Sequence, residues 1–353
     1  MDGFARARAV VERAIADRVF PGAAVEVSAG GITAAWTAGR LTYDASAPAV
    51  DGSTIYDLAS LTKVLAVAPL VLDAVEAGRL ALEDRVAARL SAWTGADRET
   101  VTLADLLAHA AGLPAHRRYF ETLAGRAAFE AAICGEPLDY PPRTRSVYTD
   151  LGFMLLGFIL EDTGGRPLDG AFEAWRHRAI GVEEIGFRPP AAWRDRIAPT
   201  EVDPWRGRLL RGEVHDENCA ALGGVAGHAG LFGTAAAVAA CGRWWLARLA
   251  ESSAARRFAA RAAVPGSSRA LAWDTMLPTS SCGSRFSPAA IGHTGFTGTS
   301  LWLDPPRNLV VVLLSNRVHP LRDGDAIRAV RRAFHDAVVA DLAAWPGPAA
   351  PPL

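Results

Sequence analysis

The 353-residue chain sets 37 basic against 38 acidic residues for a net charge of −1, and half of its residues are hydrophobic. That length exceeds a typical single core, so one large domain or two intimately joined ones are expected. A near-neutral charge excludes the concentrated basic surface that nucleic-acid binding needs, and the apolar fraction excludes a disordered chain.

Residues 4–18 repeat apolar positions at helical spacing, and 23–28 and 32–37 read as two strands of a hairpin around Gly30-Gly31. A polar stretch follows, then a strong helix from Ser60 to Ala77 that Gly78 stops. Residues 80–90 read as a turn with a short helix. Another helix opens at 102–110, with Thr100 or Thr102 as its N-cap. The middle third is mainly helical, at 123–134, 148–163 and 168–179. Long loops cover 188–228, a length that in a compact protein signals function. Helices return at 234–250 and 255–262. Residues 291–303 and 309–315 form a strand pair, and a helix at 324–343 precedes a Pro/Ala tail.

Strands therefore gather at both ends of the chain and helices in the middle. The expected fold is α+β, with one antiparallel sheet from residues 1–75 and 265–345 flanked by the terminal helices. A mainly helical region, 76–264, is inserted, and 346–353 is a flexible tail. A ligand cleft is expected at the junction.

Cys134, Cys219, Cys241 and Cys282 show no C-x-x-C pair and no metal-ligand spacing, so they read as free thiols. Residues 1–20 carry Asp2, Glu12 and Asp17 and no apolar run of a secretory leader. The apolar stretches 151–160 and 309–314 are too short to span a bilayer. The expected location is cytoplasmic, or periplasmic or secreted if a leader has been removed.

Of the 37 basic residues, 36 are arginine and one is lysine, Lys63. Arginine stays protonated in proteins, whereas a desolvated lysine can act as a base, so this position asks for what arginine cannot do. Lys63 follows Ser60 by three residues, which on a helix places amine and hydroxyl on one face. A serine nucleophile needs such a base, and a first-turn position adds free backbone N–H groups. Two further stretches carry chemistry. Tyr148-Thr149-Asp150 offers a phenol and a carboxylate at a helix entry, and Gly292-His293-Thr294-Gly295-Phe296 places glycines in a strand, a mark of close approach by a ligand or another backbone.

In order and spacing, Ser60-Leu61-Thr62-Lys63, Tyr148-Thr149-Asp150 and His293-Thr294-Gly295 resemble the three motifs of the serine β-lactamase and penicillin-binding-protein superfamily. The branch most similar contains class C β-lactamases, DD-peptidases and family VIII carboxylesterases. Residues 106–113, 292–305 and 311–316 are similar too, so the resemblance runs from about residue 20 to 340. It implies a β-lactamase/transpeptidase-like fold and a cofactor-free, metal-free serine hydrolase acting on a small ester, amide or β-lactam. Ser60 would form an acyl-enzyme, with Lys63 and Tyr148 sharing the proton transfers. The backbone N–H groups of Ser60 and Phe296 would form the oxyanion hole, and Asp150, His293, Thr294, Gly295 and Phe296 would contact substrate.

Two departures from the family pattern bear on substrate. Histidine stands at 293 where most β-lactamases have lysine, and it is less reliably cationic at neutral pH. Asp150 stands where class C enzymes have asparagine, so it must repel an anion, stay neutral or pair with Lys63. Both favour a peptidase or esterase over a β-lactamase, and the absent leader tilts the choice towards an intracellular esterase or amidase. A penicillin-binding sensor that deacylates slowly is the rival from another class. The stretch 212–218 with 223–232 resembles a subgroup containing low-molecular-weight DD-carboxypeptidases. There His228 is expected beside substrate, while the consecutive His215, Asp216 and Glu217 cannot all face one metal ion. His109 is expected to fix the backbone of its turn.

Overall fold

In a computed structural model, residues 3–343 are described; the Pro/Ala tail expected at 346–353 lies outside them. Helix α1 (Ala5–Ala16) leads into the hairpin β1 (Gly22–Ala29) and β2 (Ile32–Gly39), then β3 (Tyr56–Asp57) and α2 (Ala68–Glu76). Helices α3 (Leu103–Leu107), α4 (Arg126–Gly135), α5 (Leu151–Gly164) and α6 (Leu168–Ala179) follow. The next segment carries β4 (Ile185–Phe187), β5 (Val202–Asp203), β6 (Arg208–Leu209), α7 (Glu217–Ala221) and β7 (Leu231–Gly233). Then come α8 (Ala235–Glu251), α9 (Ser253–Ala259), β8 (Asp274–Thr275), β9 (Ile291–Thr294), β10 (Ser300–Asp304), β11 (Leu309–Ser315) and α10 (Ala326–Leu342).

Six strands form the main sheet in the order β2-β1-β11-β10-β9-β8. All of its neighbouring strands are antiparallel. The central strand β11, Leu-Val-Val-Val-Leu-Leu-Ser, is buried throughout because helices cover both faces of the sheet. Side chains alternate across a strand. Val310, Val312 and Leu314 accordingly join the core beneath α8, while Leu309, Val311 and Leu313 pack with α1 and α10. Helix α8 approaches closely at Gly242, where a Cβ would meet Val310 Cγ1 at 2.6 Å.

The expected helix ends hold where side chains cap them. Thr102 accepts from the Asp105 N–H, and Asp105 answers from its own carboxylate in a capping box. Thr234 caps α8 in the same manner. Two expectations need correction. Residues 291–303 are not one strand: β9 ends at Thr294 and β10 begins at Ser300, with a turn closed by Gly295 N–H to Thr299 O at 2.8 Å. The helix expected from Ser60 is also not uniform, running as a 3-10 turn (Ala59–Leu61), a π turn (Lys63–Val67) and only then α2. A π turn of this kind is frequent at functional sites. The loops expected over 188–228 contain β5, β6 and α7, and a second sheet, β3-β7-β4, stands beside them.

Candidate active site

The nucleophile turn is built by its neighbours. Strand β3 pairs with β7, and the Leu58 N–H donates to Leu231 O, so the chain reaches Ser60 held on one side. Ala59 takes φ +47, unusual for a residue with a side chain, and the Asp57 carboxylate accepts its N–H at 2.8 Å. The hydroxyl of Thr297 donates to Asp57 O and that of Thr299 to Leu58 O, tying the β9–β10 turn to the same segment. The other oxygen of Asp57 accepts the His215 N–H at 2.7 Å. Burial raises the Asp57 pKa, and these hydrogen bonds oppose it. Asp57 thus joins three segments at the nucleophile.

Lys63 is fully buried, and its Nζ donates to three acceptors: Ser60 Oγ at 3.0 Å, Asp150 Oδ1 at 2.7 Å and His228 O at 3.1 Å. Burial pulls its pKa down, yet the charges and hydrogen bonds of Asp150 and Tyr148 together outweigh that, and the amine ends above its ordinary value. The resting site therefore holds an ammonium. The Tyr148 hydroxyl interacts with both Lys63 and Ser60, and burial raises its pKa despite the nearby ammonium, so the phenol is neutral. Lys63 Nζ also lies 5.0 Å from the centre of the Tyr148 ring.

Tyr148 is itself positioned by His109, whose ring centre is 4.6 Å away. His109 adopts φ +56, its carbonyl accepts from Val147 N–H and Tyr140 Oη, and its Nδ1 meets the Thr149 backbone. This is the backbone-fixing role expected of it in its turn.

On the opposite wall, His293 is buried, with Nδ1 against Thr294 O at 2.9 Å and Nε2 without a hydrogen-bond partner among the described residues. Burial, reinforced by Arg269 and Lys63, drives its pKa well below the ordinary value. His293 is thus neutral at pH 7. Gly295 makes the close approach that its sequence context suggests, since a Cβ there would meet Thr299 Oγ1 at 2.1 Å and Leu58 O at 2.6 Å. The Phe296 N–H donates to no acceptor among the described residues, and Ser60 lies in the first turn of its 3-10 helix. Two such N–H groups are what an oxyanion requires.

Ser60, Tyr148 and Phe296 border two cavities. One, of about 350 Å³, is also lined by His293, Thr294, Gly295, Arg269 and Arg331. The other, of about 590 Å³, includes Asp150, His116, Phe120, His215 and Arg322. In the second cavity the acids are engaged: Asp150 by Lys63, Asp216 by His228 and Glu217 by Arg322. Burial works against the Asp216 anion, but His228, the Cys219 N–H and the Lys63 charge together outweigh it and hold that carboxyl below the usual range.

The structure thus brings Ser60, Lys63, Tyr148, Asp150, His293, Thr294, Gly295 and Phe296 together. His228, expected beside substrate, borders neither of these two cavities. The His228 side chain is buried against Asp216, and only its carbonyl reaches the site, behind Lys63. Arg269 was not foreseen. Its guanidinium lies 5.2 Å from the Tyr148 ring centre, and no carboxylate among the described residues pairs with it. One arginine among 36, in a loop without periodicity, carries no local signal. Among the described residues no cluster of three or more His, Cys, Asp or Glu could hold a metal ion, and no helix is long and apolar enough to cross a membrane.

Residues 7–335 match the family model described as Beta-lactamase. A "Putative D-alanyl-D-alanine carboxypeptidase" of Escherichia coli (strain K12) is 31% identical over 310 residues, covering 76% of this chain and 71% of that protein. A protein of the same description from Salmonella typhi is 30% identical over 311 residues, covering 76% and 70%. Among solved structures, EstCE1, a hydrolase with promiscuous acyltransferase activity, superposes with a TM-score of 0.75 at 21% identity, covering 95% of this chain and 97% of that one. A penicillin-binding protein homologue from Caulobacter crescentus gives 0.75 at 21%, covering 97% and 98%. A class C β-lactamase from Rhodobacter sphaeroides gives 0.73 at 20%, covering 96% and 99%. These structural likenesses establish the β-lactamase/transpeptidase-like α+β fold.

Proposed function

The chain belongs to the β-lactamase family and is a hydrolase, and within that family we propose that it is a serine carboxypeptidase-type enzyme. It would release a residue with a free carboxylate from a peptide-like amide. Arg269 carries this reading. A guanidinium with no carboxylate partner among the described residues borders the same cavity as Ser60 and a neutral His293. Its planar fork matches a carboxylate as a point charge cannot. The curated relatives' description points the same way.

The chemistry follows from the hydrogen bonds. Lys63 first hands a proton to Asp150, 2.7 Å away, and the neutral amine this frees, 3.0 Å from Ser60 Oγ, takes the hydroxyl proton as Oγ attacks the carbonyl carbon. The carbonyl oxygen takes the developing negative charge between the Ser60 and Phe296 N–H groups. The neutral Tyr148 phenol protonates the departing amine nitrogen and is reprotonated through Lys63. Water then attacks the acyl-enzyme by the same route in reverse, freeing Ser60.

The test sets N-acyl-D-alanyl-D-alanine and its C-terminal amide against p-nitrophenyl butyrate and a fluorescent penicillin. Wild type should cleave the free acid far faster than the amide. Arg269→Gln should raise KM for the acid about tenfold to a hundredfold, the worth of a charge-assisted pair. Ser60→Ala should abolish turnover and labelling. Ester turnover without peptide cleavage would replace this reading with the esterase, rapid hydrolysis of the penicillin with the β-lactamase, and lasting penicillin labelling without turnover with the slow sensor.

A further inference from the structure

The cavity beside Ser60 holds more positive charge than one carboxylate needs. Four arginines border it, Arg269, Arg317, Arg328 and Arg331, against two acids, Asp274 and Asp325, leaving a net charge of +2. Asp274 is occupied by the Ser268 hydroxyl at 2.6 Å, and Asp325 stands 3.6 Å from Arg328 with both side chains largely exposed.

Arg331 is the unusual member. It rises from α10, is only 7% exposed, and has no carboxylate partner among the described residues. One terminal nitrogen donates to Gly295 O at 2.7 Å and Thr299 O at 2.8 Å, while Nε finds no acceptor among the described residues. Holding two carbonyls needs only a neutral donor, so this task does not explain a buried cation. Burial, with Arg317 and Arg328 adding repulsion, lowers its pKa to about 9, so at neutral pH it remains a charge without compensation. Arg317 is tied to the same turn, its Nε donating to Phe296 O at 2.8 Å. His293 lies within electrostatic reach of both Arg269 and Arg331, so both charges act on this one cavity. The volume, about 350 Å³, would hold about a dozen waters at roughly 30 Å³ each, more than a methyl-bearing residue fills.

We propose that Arg331, with Arg317 and Arg328, forms a second anion subsite, and that the preferred leaving group carries two carboxylates. The inference rests on the carboxypeptidase reading for the first carboxylate, at Arg269. The second carboxylate, on the leaving residue's side chain, enters between α10 and the β9–β10 turn and neutralises the surplus charge.

The test compares N-acyl-D-alanyl-D-glutamate with the isosteric D-glutamine and with D-alanine as leaving residues. The D-glutamate substrate should exceed D-glutamine about tenfold or more in kcat/KM. The ratio should fall towards one in Arg328→Glu, an exposed position that does not threaten folding, and in Arg317→Gln. Calorimetric binding of glutarate against butyrate gives a readout without turnover, and glutarate should bind about tenfold more tightly. Equal cleavage of the D-glutamate and D-glutamine peptides would overturn the proposal, as would equal binding of the two acids. If no peptide is cleaved yet glutarate is still preferred, the anion subsite stands and the carboxypeptidase reading falls.

Discussion

Lys63 Nζ donates to Asp150 Oδ1 at 2.7 Å, and that contact sets the protonation state of the site. Of the outcomes open to a carboxylate at this position, pairing is the one realised. Asp150→Asn keeps the acceptor but removes the charge that raises the Lys63 pKa, so the amine should titrate at lower pH. The rising limb of kcat/KM against pH should move to lower pH, and the maximal rate should fall because Asn cannot take the proton. Asp150→Ala leaves a fully buried ammonium unpaired and should cost on the order of 3 kcal/mol in urea melts. An unmoved limb in Asp150→Asn would show that the pair does not govern Lys63.

Lys63→Arg separates charge from proton transfer. The guanidinium preserves the positive charge facing Asp150 but does not release a proton at working pH. If Lys63 handles the Ser60 proton, kcat should drop by about 10² to 10⁴ with the fold intact by circular dichroism. Activity near wild type would assign the transfer to Tyr148 alone.

The motifs that sequence could reveal are local ones. Ser60 and Lys63 sit one turn apart, and Tyr148 and Asp150 share a helix entry, so spacing alone carries their proximity. The sheet was legible because β11 is a run of apolar residues and β1 and β2 flank the Gly30-Gly31 turn of a hairpin. Arg269 and Arg331 were not legible, because their significance is the absence of a partner, which exists only in three dimensions. The break between β9 and β10 depends on Gly295 packing against Leu58 O, a contact 237 residues away in sequence by the difference of the two numbers. The direction of the His228 side chain is hidden from sequence for a related reason. A glycine-rich loop has no period to say which way a side chain faces, and Asp216 turns this one away from the cavity.

Gly295 offers a test of the oxyanion geometry. An alanine Cβ would collide with Leu58 O, a backbone atom that cannot rotate away, so the β9–β10 turn must shift. Gly295→Ala should lose about 1–3 kcal/mol of stability by overpacking. It should also lower kcat by at least tenfold, because the Phe296 N–H moves with the turn. Loss of stability with kcat unchanged would remove Phe296 from the oxyanion hole.

His335 predicts how the fold responds to acid. It is fully buried on α10, its Nδ1 meeting Ser281 O at 2.9 Å and its Nε2 without a partner among the described residues. Burial lowers its pKa from 6.5 to about 4, with Arg331 pushing the same way and the Ser281 carbonyl opposing. Between those values the unfolded chain binds a proton that the native state refuses, so stability rises with pH. The contribution is complete above about pH 6.5 and is lost as pH falls towards 4, amounting to about 3 kcal/mol. Burial shifts His109 and His293 in the same direction, whereas buried Asp57 acts oppositely. Urea melts from pH 7 to 4 should therefore show a steep fall in wild type and a shallower one in His335→Phe. The variant loses the Ser281 contact at every pH, which lowers the whole curve without changing its slope. Identical slopes would mean that native His335 takes up the proton as readily as the unfolded chain does.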